Sequence, residues 1–218
     1  MKKRSAAVLL IVLVICLCVL TSCGGGSKDE DALSDWKECD FEELEGSVQD
    51  GIYTNEFLGI TFDAHKTNWV IADDSARAGL ADVSGNTDFE AIFRESGSFC
   101  DFYVQNSSDR SAISVVIADL GLFAGARSDV DDYVEYLKDS MAEELEAQGL
   151  TNVKSEVTTT FFLGDRETPC VAVEGEYMGV KVFERQIFIK KGRYVGGVIV
   201  MCVGRDMTQE RLGGFKAI

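Results

Sequence analysis

One histidine and seven cysteines bound the chemistry open to this chain. A Ser-His-Asp or Cys-His arrangement would have to be built on His65, in the turn-like stretch "DAHKTNW", where no G-x-S-x-G or comparable nucleophile setting accompanies it. The plain reading of His65 is an exposed turn residue. Zinc sites made from several histidines are excluded by count, and the cysteines show no C-x-x-C spacing. "GLFAGAR" and "GGVIVMCVG" match neither of the usual glycine-rich phosphate loops. "SDVDDY" starts like a calcium loop, but the pattern fails at Tyr133 and Val134. A helix dipole already accounts for Asp129, Asp131 and Asp132. No catalytic residue, cofactor or metal ligand is therefore named. Two readings of the acids stay open, because the spatial separation of carboxylates is not written in sequence: surface carboxylates acting as a hydrolytic pair, or a divalent-cation site.

The residue with the clearest chemical setting is Cys23. After "MKKR", residues 6–20 run without a charge, and "VLTSCGGGSKDED" then turns abruptly to glycine and acid. A membrane-spanning helix needs about 20 apolar residues, whereas a secretory signal has a basic start and an apolar stretch of about 7–15. Leu20, Thr21, Ser22 and Cys23 resemble the lipobox of bacterial lipoprotein signal peptides. That resemblance implies cleavage before Cys23 and a diacylglyceryl group on its thiol, with residues 1–22 as the signal peptide. Two acyl chains suffice for stable anchoring where one is marginal. The alternative is a short uncleaved anchor in which Cys23 is incidental. Removal of residues 1–22 takes away three cations and no acid, so the net charge goes from −16 to −19. An anionic lipid surface repels such a chain, and the domain is expected to stand off it. Residues 23–49 read as an acidic flexible tether, with a short helix around "SDWKECDFEELEG" in which Trp36, Phe41 and Leu44 could pack on the domain. Cys39, Cys100, Cys170 and Cys202 remain, read as buried thiols or as holding one bridge.

The elements that would position any site follow from periodicity. Composition is that of a globular domain, 46% hydrophobic and 27% charged, and the excess of 37 acids over 21 Lys and Arg argues against a nucleic-acid partner. "GIYTNEFLGITFD" predicts two short strands around a turn at 55–59, and "NWVIA" a third. Residues 73–86 read as a loop or short helix, and Thr87 with Glu90 as a capping box opening the next helix. "SFCDFYVQ" and "SAISVVIADL" are strands around "NSSD", the second apolar on both faces and hence central. Val130, Tyr133, Val134, Leu137, Met141 and Leu145 make one stripe of a long helix, capped by Ser128 and Asp131 and ended by Gly149, with Asp132, Glu135, Asp139, Glu143 and Glu146 opposite. Four hairpin-linked strands follow, with turns at 164–165, 178–179 and 191–192; Gly196 and Gly197 mark a bulge or close packing. A short helix in "MTQERLGGF" closes the chain, docking through Leu212 and Phe215. The order implies one antiparallel sheet with helices packed on it, an α+β sandwich spanning residues 50–218. Phe57, Trp69, Phe123, Tyr136 and Tyr177 are aromatics placed where some could line a recognition surface.

"YTNEFLGITFD", "ISVVIADLG", "YVEYLKDSMAEELEAQG", "TTTFFLGDRE" and "KKGRYVGGVIVM" resemble small lipoproteins of Gram-positive gut bacteria, which are similar to the PsbP-like fold, an antiparallel sheet between helices. The resemblance implies a non-enzymatic interaction module. The expectation is a lipid-anchored domain on the outer face of the cytoplasmic membrane that binds an envelope protein or small ligand. The alternatives are an envelope hydrolase and a cation-binding domain.

Overall fold

The computed structural model describes residues 39–66, 68–80, 86–121 and 130–218. Cys23, Trp36, Phe123 and Ser128 lie outside the described residues. The elements are α1 (Phe41–Leu44), β1 (Ser47–Gln49), β2 (Ile52–Asn55), β3 (Ile60–Asp63), a 3-10 turn (Ala64–Lys66), β4 (Trp69–Ile71), α2 (Asp74–Leu80), α3 (Phe89–Ser96), β5 (Ser98–Asn106) and β6 (Ala112–Asp119). They continue with α4 (Val130–Ala147), β7 (Thr151–Phe161), β8 (Glu167–Tyr177), β9 (Val180–Lys191), β10 (Tyr194–Val203), α5 (Thr208–Leu212) and β11 (Phe215–Ala217).

The fold is mixed α and β with two antiparallel sheets, not one. A seven-stranded sheet runs β4-β5-β6-β10-β9-β8-β7, and a four-stranded sheet runs β1-β2-β3-β11. The expected single sheet is wrong because β11 closes on β3, Phe215 against Phe62, far back in the chain. Three-residue strands such as β1 and β11 carry too little alternation to show where they pair. The hairpin meander β7 to β10 is present as expected, and β6 is a central strand, apolar on both faces.

Two cores lie on opposite faces of the large sheet. On one, α4 inserts Tyr133, Val134, Leu137, Met141 and Leu145 against Val171, Val173, Val182, Phe188 and Ile199. The predicted stripe is the buried one, and the five opposing acids are exposed. On the other face, Tyr53, Ile60 and Phe62 of the small sheet meet Phe99, Phe102, Ile113, Val198 and Val200. At Gly196 the layers approach closely: a Cβ there would lie 2.4 Å from Leu58 Cδ2. Of the two readings of the glycine pair, Gly196 serves close packing, within a β10 register that runs unbroken.

Two local readings change. α3 is capped by Asp88, whose side chain accepts from Ala91 N at 3.0 Å, rather than by Thr87; a carboxylate is as good a cap and suits the helix dipole. Glu90 instead pairs with Arg94 one turn on. Of the two readings of the stretch after Asp73, the short helix is the one present, as α2. The packed unit also starts before residue 50: Leu44 is fully buried, Phe41 packs tilted on Phe99 with ring centres 4.8 Å apart, and Cys39 N donates to Tyr194 Oη at 3.2 Å. The short helix expected in the acidic segment is thus part of the fold.

Candidate functional site

Two nearly buried charges organise the face shared by the two sheets. The first is Asp101, 3% exposed in the middle of β5. The register against β6 jumps there, Cys100 facing Val116 and Phe102 facing Val115, so Asp101 is the extra residue of a β-bulge. The bulge resets the alternation: Phe99 and Phe102 both enter the small-sheet core, while Cys100 and Tyr103 enter the α4 core. Its carboxylate takes three donors, Gly46 N at 2.9 Å, Tyr53 Oη at 2.5 Å and Asn55 Nδ2 at 2.8 Å. Asn55 Nδ2 also reaches Leu44 O at 2.9 Å, and Tyr53 stacks on Phe102 at 4.3 Å. Arg77 donates to the carbonyl of Asp101. Burial pushes the Asp101 carboxyl up, opposed by its three donors and Arg77; burial, then the adjacent carboxylate, pushes Tyr53 well above its ordinary value. The arrangement ties the segment around Leu44 and Gly46 to the large sheet. Its role is anchoring.

The second charge is Arg211, in α5, with its side chain 10% exposed. It pairs with Asp109 in the β5–β6 turn, its Cζ lies 5.5 Å from the centre of the Trp69 ring, and Glu210 Oε1 lies 3.6 Å from its Nη1. Its Nε is buried and has no hydrogen-bond partner. Burial raises the Asp109 carboxyl, but Ser111 and Arg211 more than reverse this, holding it below its ordinary range.

Around Arg211 opens a groove of about 500 Å³. It forms where β11 peels away from β3 through Gly213 and Gly214. Phe62 and Trp69, edge to face at 5.8 Å, and the half-exposed Ile52 supply its apolar wall, while Asp63, Glu210 and Lys216 supply charge of both signs. A Cβ on Gly214 would lie 2.6 Å from the Phe62 ring, so the peeling turn has no room for a side chain. The volume falls within the range of small-ligand sites, roughly 300–1,000 Å³.

Of the four described aromatics among those singled out in the sequence, Trp69 alone lines this groove. Phe57 packs edge-on to Tyr194 at 5.9 Å, Tyr177 packs on the α4 core, and Tyr136 is exposed on α4. His65 lies over Gly51, with Nδ1 3.6 Å from Asp63 Oδ1, and among the described residues no hydroxyl or thiol hydrogen-bonds to it. Gly51 and Asp50 both take positive φ in the β1–β2 turn, and a side chain at Gly51 would meet the imidazole at 2.6 Å. Cys39, Cys100, Cys170 and Cys202 are all free thiols. Burial pushes Cys100 up to about 12 and Cys170 to about 11, so neither supplies a thiolate near neutral pH. Among the described residues no group of three His, Cys, Asp or Glu is placed to hold a metal ion, and no helix is long and apolar enough to cross a membrane.

Sequence reasoning missed Asp101 and Arg211. An acid between Cys100 and Phe102 in an otherwise apolar strand was a visible signal for the first. Nothing local marks Arg211, whose partners come from β4 and the β5–β6 turn. No protein-family model matches this chain, and a search of curated proteins finds no match.

Proposed function

We propose that this chain is a lipid-anchored binding module of the cell envelope, held through a diacylglyceryl thioether on Cys23 and presenting the Trp69–Arg211 groove away from the membrane. The observation that carries the reading is the placement of the two ends of β10. The first described residue, Cys39, bonds to Tyr194 at the start of that strand. The groove lies past its other end, against α5 and the β5–β6 turn. Ten residues of strand separate them, about 30 Å at the usual rise. A tether entering at the first end leaves the second facing outward, and the net charge of the chain keeps the body off an anionic bilayer.

The groove's chemistry favours a short peptide segment or small zwitterion with an apolar body. Trp69, Phe62 and Ile52 would take the body, Arg211 and Lys216 its anionic group, and Asp63 and Glu210 its cationic one. The PsbP-like resemblance supports an interaction module in the same sense, through a sheet layered between other elements. It does so as an analogy of fold, and the function rests on the groove.

Two measurements test the proposal. Intact-mass analysis of the chain from native membranes is expected to find residue 23 as a modified N-terminus; an unmodified Cys23 with residues 1–22 attached would contradict the anchor. A thermal-melt panel of envelope-derived peptides, saccharides, calcium and manganese is expected to give stabilisation by a peptide or zwitterion, since a ligand that prefers the folded state raises its stability. Stabilisation by the cations alone would favour a divalent-cation domain, and turnover of a saccharide would favour a hydrolase.

A further inference from the structure

β7 is an edge of the seven-stranded sheet: β8 pairs with one side, and among the described residues no strand pairs with the other. At eleven residues it presents a ladder about 35 Å long, a template for another strand where it is not blunted; at its far end Gln209 Nε2 donates to the Phe161 carbonyl at 2.9 Å. Its first residues are blunted, because Asn152 takes a φ of +56° and the register with β8 breaks between Thr151 and Lys154. From Lys154 to Phe161 the register runs without interruption.

The side chains divide between the two faces. Val153 and Val157 pack on the α4 core, and Ser155 lies between them on the same face. Its hydroxyl is buried and has no hydrogen-bond partner. Lys154 and Glu156 share the other face, both exposed.

If the pairing strand is the same segment of a second copy, an antiparallel ladder sets each residue opposite its mirror about a central position. Centring on Lys154 or Glu156 places that charge against itself. Centring on Val157 faces both charges with threonine. Centring on Ser155 places Lys154 opposite Glu156 and Glu156 opposite Lys154, sets Val153 against Val157 on the α4 face, and sets Ser155 opposite Ser155. Cross-strand opposite charges and hydroxyl pairs are both stabilising units of a sheet. The approaching segment carries no net charge of its own, and the Debye length of about 8 Å at physiological salt screens the rest of each acidic body.

We propose that β7 is a homodimer edge: two copies join antiparallel about a two-fold axis at Ser155, making one sheet of fourteen strands, seven from each copy, with both α4 helices on the same side.

The test uses the full chain purified in detergent. Directly opposed residues of an antiparallel pair have Cα atoms about 4.5–5.5 Å apart, within disulfide range, so Ser155→Cys is expected to form a cross-linked dimer on mild oxidation. Thr159→Cys, whose twin is far along the strand in this register, is expected to remain uncross-linked. Lys154→Glu and Glu156→Lys each place like charges at both contacts and are expected to weaken dimerisation about tenfold. An equimolar mixture of these two variants restores both pairs and is expected to form a heterodimer at least as tight as the wild type. Ser155→Cys that cross-links no more than Thr159→Cys, or a mixture no tighter than its components, would overturn the proposal. Melts matching the wild type show that the variants fold.

Discussion

Asp101 and Arg211 are both charges drawn almost wholly out of water on the same face of the large sheet, yet their surroundings differ. Asp101 is saturated: a backbone N–H, a phenol and an amide converge on its carboxylate, and aromatic rings close over them. Arg211 has one close carboxylate partner, Asp109, a looser one in the exposed Glu210, an indole beneath it, an orphan Nε and an open groove beside it. A buried charge left without its partners is strongly destabilising, so the first arrangement is cohesive and intolerant of change. A partly satisfied charge at the mouth of a cavity retains hydrogen-bonding capacity for something else. The contrast separates a structural anchor from a receptive site without appeal to motif.

The largest break in this contrast comes from Asp101→Ala, which takes the acceptor from the buried Tyr53 hydroxyl and from the half-buried Gly46 N–H and leaves Asn55 Nδ2 with Leu44 O alone. It is expected to cost about 3–5 kcal/mol, read as a fall in the urea midpoint at unchanged slope. Tyr53→Phe removes one donor while keeping the stack on Phe102, and a loss of about 1–2 kcal/mol is expected in the same titration. Arg211→Met should cost about 1 kcal/mol of stability, since Asp109 is partly exposed and keeps its Ser111 bond, yet it should abolish ligand-induced stabilisation. A variant at Asp101 that retains binding, set beside one at Arg211 that retains fold, would sharpen the division of roles.

The smallest effect is in pH dependence, where the two carboxylates have opposite signs. Burial raises the folded-state pKa of Asp101, so its contribution is fully present below the ordinary value near 3.9 and is lost as pH rises through the raised one. The advantage of the wild type over Asp101→Asn should narrow with rising pH. Asp109 is net lowered, so its contribution is present above about 3.9 and is lost as pH falls through the lowered value. The advantage over Asp109→Asn should narrow on acidification. Urea midpoints across the acidic range check both slopes.

What could be read in the sequence was what local periodicity encodes. The α4 stripe, the hairpins from β7 to β10 and the central place of β6 each leave a pattern within a single window, and each is where it was expected. The division into two sheets was hidden because β11 is three residues long and pairs with β3 across most of the chain. The acid at position 101 was visible in β5, but the bulge it occupies was not, because a bulge changes the parity of the strand and not its composition. The groove follows from both kinds of hidden fact: it opens where β11 leaves β3, and its charge is held by a turn about a hundred residues earlier. Trp69 was legible as an aromatic at a strand start, but its neighbours were not.

The most direct test of the groove as the binding site is fluorescence titration of Trp69 in a Trp36→Phe background, where it is the sole tryptophan. The expected result is a saturable change in emission with a short peptide or zwitterion, lost in Arg211→Met while the melting curve stays cooperative. Emission unmoved by a ligand that nonetheless stabilises the fold, or a change that survives Arg211→Met intact, would contradict it.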